Sequence, residues 1–197
     1  MPGKNTRANI LHAAVGLFSR RGYDGVSMRN IAQAVDISAP ALYNHFKDKQ
    51  SLYNVAVAGA FGNKARQLQE ALSGDEEPML RLQRFVTSLS HVLKEDAEFR
   101  RLVQREVLDG DKDRLQHLGE ELFAPLFNSM MDLLKELKPD GDTHLLAVII
   151  IGMIQKPFEF NPLGRFFSGS RPEHIDPDYI SQQVMETLTP FLNTRSN

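Results

Sequence analysis

The chain contains 197 residues, of which 42% are hydrophobic and 24% are charged, a composition typical of a folded globular protein rather than a disordered one. It contains no cysteine, which excludes disulfides, thiolate metal sites and cysteine nucleophiles. The polar N-terminus lacks a signal-peptide core, and the most apolar run, residues 145–154, is about half the length that spans a bilayer. We therefore expect a soluble cytoplasmic protein with no membrane partner.

Basic residues are concentrated near the N-terminus. Residues 1–72 contain nine Lys and Arg against four Asp and Glu, and the remainder of the chain is acidic. A basic segment on an acidic body favours a head that faces a polyanion such as nucleic acid. A chance fluctuation of surface charge would give the same count, so a motif has to decide between the two interpretations.

Apolar residues recur every three to four positions along nearly the whole chain, which predicts an all-α protein with about nine helices. The first predicted helix covers residues 6–21 and ends at Gly22. The second is capped by Ser27, and the third, capped by Ser38, ends near residue 46. The fourth begins at Asp48 and continues to about residue 72.

An interruption at residues 73–78 separates these helices from a second group. The predicted helices beyond it contain residues 82–93, 97–108, 115–137, 144–160 and 177–192. Pro125 is expected to kink or split one of them, because proline cannot donate a backbone hydrogen bond. The helix over 144–160 is apolar almost all round, which indicates burial on several sides. No alternating pattern predicts a strand.

The functional signal lies between Ser27 and Leu52. Two short helices joined by a tight turn, at about residues 27–46, form a helix-turn-helix pattern whose second helix enters the DNA major groove. Small residues open that helix, Tyr43 and Asn44 can hydrogen-bond, and lysines flank the next helix start, where backbone amides favour phosphate. The candidate DNA-contacting residues are Ser27, Arg29, Ser38, Ala39, Pro40, Ala41, Tyr43, Asn44, His45, Lys47 and Lys49.

This segment resembles a known family. Ala32, Val35, Ile37-Ser38, residues 42–46, Lys49 and Leu52 are similar to the signature of the tetracycline-repressor (TetR) family of bacterial regulators, and the resemblance covers residues 6–60 densely. It implies a DNA-binding domain over residues 4–64 and an effector-binding and dimerisation domain over 65–197. The implied function is a homodimeric repressor that binds an inverted-repeat operator and whose DNA affinity changes when a small molecule binds.

Two features depart from the family pattern. The turn residue before Ile37 is usually glycine in this family and is Asp36 here; because Asp tolerates the left-handed conformation, we expect the turn to survive with modest strain. The first turn of the recognition helix also has no Lys or Arg, so the commonest contact to guanine is missing.

The resemblance further implies that the last two helices of two subunits pair and that the central helices surround an effector pocket. The expected interface residues are Leu146, Ile150, Met153, Ile180, Val184, Leu188 and Phe191. The candidate effector-contacting residues are Phe85, Leu89, His91, His117, Phe123, Phe127, Met130, Met131, Met153 and Gln155. Their Met- and Phe-rich character favours an apolar or aromatic ligand, although each taken singly also fits an ordinary core. No cofactor is expected.

Other functions find less support in the sequence. Asp109, Asp111, Asp113 and Glu120 have the spacing of a calcium loop, but Arg114 occupies the position that needs glycine, and helix capping is the better interpretation. No catalytic or metal-ligating motif occurs, so we expect no enzyme and no metal site. A helical protein-interaction module without DNA binding remains the alternative; its binding would depend far less on salt.

Overall fold

The computed structural model describes residues 5–193, and within this range every regular element is a helix. Lys4, the first residue of the predicted DNA-binding domain, lies outside the described residues. The α-helices are α1 (Asn5–Arg21), α2 (Met28–Ala34), α3 (Ala39–Tyr43), α4 (Lys49–Leu72), α5 (Pro78–Glu95), α6 (Ala97–Asp109), α7 (Lys112–His117), α8 (Ala124–Leu137), α9 (Thr143–Gly164) and α10 (Pro177–Asn193). A π-helical segment, Leu118–Phe123, precedes α8, and a 3₁₀ turn, Pro172–Ile175, precedes α10.

The packing divides the chain into two units. The first, here called the head unit, comprises the residues up to Lys64 together with Ala97–Leu122. The second, the body unit, comprises Ala65–Asp96 together with the residues from Phe123 onward. Helices α6 and α7 therefore pack with the head, although the predicted DNA-binding domain ends at residue 64. The division by function at that residue stays a prediction.

The structure confirms the three predicted helix caps. Ser27 and Asn30 form a capping box at the start of α2, and the Ser38 hydroxyl accepts from the amide of Ala41 at 3.2 Å. Asp48 accepts from the amide of Ser51 at 2.7 Å and so caps α4. Each bond satisfies an amide that has no partner within its helix, which fixes where these helices begin.

The head unit is held by an apolar core and by one arginine from α6. Ile10, Phe18 and Leu42 are fully buried. Arg105 donates from Nε to the carbonyl of Ser19 at 3.0 Å and from Nη2 to that of Arg20 at 2.6 Å. These carbonyls belong to the last turn of α1, which has no intrahelical donors, so a side chain of α6 caps α1.

Prolines shape the helices of the body unit. Pro125 lies in the first turn of α8, directly after the π-helical segment, so the predicted long helix is divided there. Helix α9 contains Pro157 and Pro162 and continues to Gly164, beyond the predicted end at residue 160. The predicted end was wrong: Pro162 lies in the last turns of α9, where its missing donor removes a single backbone bond.

The two faces of α9 differ in exposure, which bears on the predicted dimer interface. Leu146 and Ile150 of α9 and three predicted α10 residues, Ile180, Val184 and Leu188, are buried within their own subunit. These residues form part of the core of the body unit, and the predicted interface stays a prediction. Of the predicted set, only Met153, which is half-buried, and Phe191, which is 52% exposed, remain accessible.

A different stripe of α9 faces outward. Leu145, Val148 and Ile149 are 53%, 48% and 47% exposed, and a side chain added at Gly152 would meet nothing within 4 Å. Among the described residues, α9 is also the one helix long and apolar enough to cross a membrane. That is weak support for a membrane span, since core helices of soluble proteins pass the same test and α9 carries Lys156 and Glu159.

Candidate nucleic-acid interface

Helices α2 and α3 and the turn between them form a helix-turn-helix. The turn is closed by the amide of Ile37, which donates to the carbonyl of Ala32 at 3.0 Å, and it passes through Asp36 at φ 54°. The single buried side chain of α3 is Leu42, which anchors the helix on the head core. The other residues of α3 therefore lie on the opposite, outward side of the helix.

The predicted DNA-contacting residues are all exposed or half-buried. Ala39, Ala41 and Lys49 are half-buried. Tyr43 is 52% exposed although it is aromatic, so no contact within the head explains its position. The other predicted residues that are exposed are Ser27, Arg29, Ser38, Pro40, Asn44, His45 and Lys47.

Lys49 has a position that the sequence did not predict. Its ammonium donates to the carbonyl of Tyr23 at 3.0 Å and lies 4.0 Å from the centre of the Tyr23 ring. An ammonium group has three N–H donors, so Lys49 can still donate a hydrogen bond to a phosphate oxygen. Lys49 thus connects the start of α4 to the α1–α2 turn, whereas exposed Lys47 contributes only charge.

Comparison with known proteins agrees with this geometry. Residues 10–56 match the sequence profile of "Bacterial regulatory proteins, tetR family". IcaR of Staphylococcus aureus, an HTH-type negative transcriptional regulator of a biofilm operon, is 42% identical over 52 residues, which are 26% of this chain and 28% of IcaR. Residues 10–56 therefore form a DNA-binding segment of the TetR type. Members of this family bind DNA and respond to ligands.

Two further relatives extend the comparison beyond the helix-turn-helix. The HTH-type transcriptional activator FasR of Mycolicibacterium smegmatis is 29% identical over 103 residues, which are 52% of this chain and 47% of FasR. The structure of FadR from Bacillus subtilis in complex with stearoyl-CoA superposes with a TM-score of 0.73 at 19% identity, over 92% of this chain and 96% of that one. The matched segments span less than half of either curated relative, and both relatives are regulators rather than enzymes.

Asp36 replaces the glycine that TetR-family turns usually have at this position, and it adopts the positive φ that glycine favours. We expect Asp36→Gly to stabilise the head by about 0.5–1 kcal/mol, because the left-handed conformation strains residues with a Cβ. It should also tighten DNA binding, since an anion beside the phosphates is removed. Thermal unfolding and duplex titration measure the two effects.

Asp36→Ala is the matched control for this prediction. It removes the same charge but keeps a Cβ at positive φ, and it loses the local hydrogen bonding that lets Asp adopt this conformation. We therefore expect Asp36→Ala to tighten DNA binding while lowering stability. Equal stability of the Gly and Ala variants would contradict the assignment of backbone strain to this turn.

Some TetR head residues near the site were not predicted as contacts. Arg7 of α1 is exposed and lies 5.1 Å from the ring centre of Phe46, just after the recognition helix. Gln33 lines a groove along the helix-turn-helix together with Arg29, Asp36 and Ser38. The count of basic residues included Arg7, but only tertiary packing brings it beside the C-terminal end of α3.

The candidate effector residues differ in burial and belong to both units of the chain. Phe85, Leu89 and Met130 are buried in the body core, and Phe123, Phe127 and Met131 are half-buried. His117 belongs to the head unit and the other nine to the body unit. The predicted effector set therefore stays a prediction.

Three polar members of the predicted effector set already have partners in the chain. His91 Nε2 lies 2.9 Å from Asp178 Oδ1, and His117 Nδ1 lies 3.0 Å from Glu121 Oε2. Gln155 donates to Glu159. An effector that used these groups would have to compete with the intramolecular contacts.

Met153, one of the candidates, lines a cavity of the body unit. This cavity has a volume of about 490 Å³ and lies between α9, α10 and the segment that joins them. Its lining mixes apolar side chains, including Phe160 and Phe167, with polar ones, including Tyr179 and Gln183. Within the described residues, no group of three or more His, Asp or Glu side chains is placed to hold a metal ion.

Proposed function

We propose that this protein is a homodimeric transcriptional regulator, of repressor type, that binds an inverted-repeat operator and releases it when a small molecule binds. The observation that carries the proposal is the helix-turn-helix, with caps on both helices, Tyr43 exposed at the end of the second helix and Asn44 exposed directly after it. Exposed polar and small side chains on a helix anchored by one buried leucine fit insertion into a major groove.

The homodimer is supported by the outer face of α9, defined by Leu145, Val148, Ile149 and Gly152. Three large apolar side chains near half exposure form an apolar surface larger than scattered single residues would give. In a twofold dimer the same stripe meets itself, and Gly152 lets the two helices approach closely. Two heads held together can then occupy two half-sites of one operator.

The effector is proposed to be an apolar molecule with a polar end. The body supplies a mixed apolar and polar cavity beside Met153, and a protein of the same fold has been crystallised with stearoyl-CoA. Long-chain acyl-CoA thioesters are therefore the first probes. A ligand that lowers operator affinity at concentrations near its own Kd would support the ligand-responsive part of the proposal.

Selection of bound duplexes from a random DNA pool, followed by titration at two salt concentrations, tests DNA recognition. We expect an enriched inverted repeat, two subunits per site and an affinity that falls steeply with salt, because phosphate contacts release counterions. A pool without enrichment would overturn the proposal if the same preparation is folded and dimeric. Placing the selected site upstream of a reporter then tests repression directly.

Lysine substitutions separate phosphate contacts from structural ones. Lys47→Ala should reduce the slope of log K against log salt by about one unit without changing stability, because Lys47 is exposed. Lys49→Ala should reduce the slope similarly and also lower the melting temperature, because its ammonium binds the Tyr23 carbonyl.

Asn44→Ala is the control for base recognition. It carries no charge, so the salt slope should stay unchanged while the preferred sequence shifts. An unchanged slope for Lys47→Ala would remove Lys47 from the phosphate contacts. A uniform loss of affinity for all sequences with Asn44→Ala would exclude a base contact by Asn44.

A further inference from the structure

A buried ion pair joins α6 to α7 in the head unit. Glu106 Oε2 accepts from Arg114 Nε at 2.8 Å, and the two side chains are 1% and 6% exposed. Asp109 and Asp111 each place a carboxylate oxygen 3.4 Å from the same guanidinium. Asp111 also caps α7, since it accepts from the amide of Arg114 at 3.0 Å. The guanidinium is therefore held in one position from several sides.

The guanidinium of Arg114 lies against the turn that leads into the helix-turn-helix. Its central carbon is 4.5 Å from the ring centre of Tyr23, a distance typical of a cation–π contact. Tyr23 also packs edge-on against Tyr53 at 5.1 Å, and its ring and carbonyl both contact Lys49. The Tyr23 ring thus contacts two cations, Arg114 of α7 and Lys49 at the start of α4.

Lys49 follows the recognition helix closely. Five residues separate it from Tyr43, and Asp48 before it caps α4. A shift of Tyr23 would therefore act on Lys49, and through it on the junction between α3 and α4. A continuous series of contacts runs from Glu106 through Arg114 and Tyr23 to Lys49.

Burial of this charged cluster carries a desolvation cost. Among the described residues, Glu106 Oε1 and the Tyr53 hydroxyl are buried without a hydrogen bond of good geometry. Burial, followed by the adjacent Glu106 carboxylate, raises the pKa of Tyr53 above its ordinary value, so the phenol stays neutral. An apolar pair of similar volume would commonly be as stable as a buried ion pair, so stability alone does not account for these residues.

We propose that the Glu106–Arg114 pair positions the DNA-binding head: it fixes Tyr23, and through Tyr23 the Lys49 end of the recognition helix, so that the α6–α7 segment controls operator affinity. The inference rests on the proposed DNA-binding function. Glu106 and Arg114 are positioning residues, since neither lies on the exposed surface that would contact DNA.

The test replaces the pair by apolar side chains in the full-length dimer. The Glu106→Leu/Arg114→Met double variant removes both charges together, so it should fold with a melting temperature close to that of the unchanged chain. We expect its affinity for the selected operator to fall about tenfold, with a smaller change of the salt slope than Lys49→Ala gives, because Lys49 is displaced but keeps its charge. The matched control is Arg20→Met/Glu98→Leu, which removes the exposed 3.3 Å pair between α1 and α6 and should leave affinity unchanged.

Hydrogen exchange supplies a measurement that does not need DNA. The amide of Gly22 donates to Phe18 at 2.9 Å and that of Val26 donates to Tyr23 at 3.3 Å, so both report on the α1–α2 turn. Both should exchange at least tenfold faster in the Glu106→Leu/Arg114→Met variant and at the original rate in the control.

The outcomes distinguish a failure of the positioning role from a failure of the proposed DNA-binding function. Unchanged affinity and unchanged exchange in a folded Glu106→Leu/Arg114→Met variant would overturn the positioning role and leave DNA binding standing. If the unchanged chain binds no duplex, the proposed function fails, and exchange at Gly22 and Val26 still decides whether the pair positions the turn.

Discussion

Val148→Glu/Ile149→Glu is expected to convert the protein to a monomer and to weaken operator binding by a factor of about 10²–10⁴, the range lost when a bivalent contact becomes monovalent. Both residues lie on the outer face of α9 and are nearly half exposed. In a twofold interface each new carboxylate meets its symmetry copy, so like charges oppose each other in an apolar contact. Sedimentation velocity and operator titration measure the two effects.

The control for this variant is Asn128→Glu, which adds a carboxylate at an exposed position of α8. It should leave the protein dimeric with its original operator affinity. Because Val148 and Ile149 do not belong to the core, the double variant should keep its helical content and melting temperature apart from the contribution of dimerisation. A dimer that persists in the variant would show that the outer face of α9 is not the interface.

Arg114→Met alone should lower the free energy of unfolding by about 3–5 kcal/mol, because it leaves the Glu106 carboxylate buried without its cation. The carboxylate is 1% exposed, so water cannot replace the lost guanidinium. The substitution also removes the cation beside the Tyr23 ring. The midpoint of urea unfolding, followed by circular dichroism, measures the loss.

Arg20→Met is the comparison for this prediction. Like Arg114, Arg20 forms an ion pair with a glutamate, here Glu98. This pair is exposed, with 56% of the Arg20 side chain accessible. Exposed pairs contribute at most about 1 kcal/mol, so the expected loss is several times smaller. A loss of less than about 1 kcal/mol for Arg114→Met would mean that Glu106 finds another partner or becomes neutral at little cost.

Sequence reasoning predicted the features that depend on local chemistry. Ser27, Ser38 and Asp48 were identifiable as caps because a capping side chain acts on amides two or three residues away. The left-handed conformation of Asp36 was likewise expected from its place in the turn. The all-helical architecture followed from the 3.6-residue period of the apolar positions.

Features that depend on tertiary contacts were harder to predict. An apolar helix such as α9 has two apolar faces, and periodicity does not tell which one packs inside the subunit. The prediction therefore chose Leu146 and Ile150, whereas Leu145 and Ile149 are exposed. Glu106 and Arg114 lie on either side of a helix break in a highly charged stretch, where charged residues usually face solvent, so their burial had no local signal.

The aromatic cluster of the head also gives the protein a spectroscopic signal. The chain has four tyrosines and no tryptophan. Tyr23 and Tyr53 lie beside Arg114, Tyr43 is exposed on the recognition helix, and only Tyr179 belongs to the body unit. Intrinsic fluorescence therefore comes chiefly from the head, so unlabelled protein can report both the rearrangement of the α1–α2 turn and the approach of a duplex.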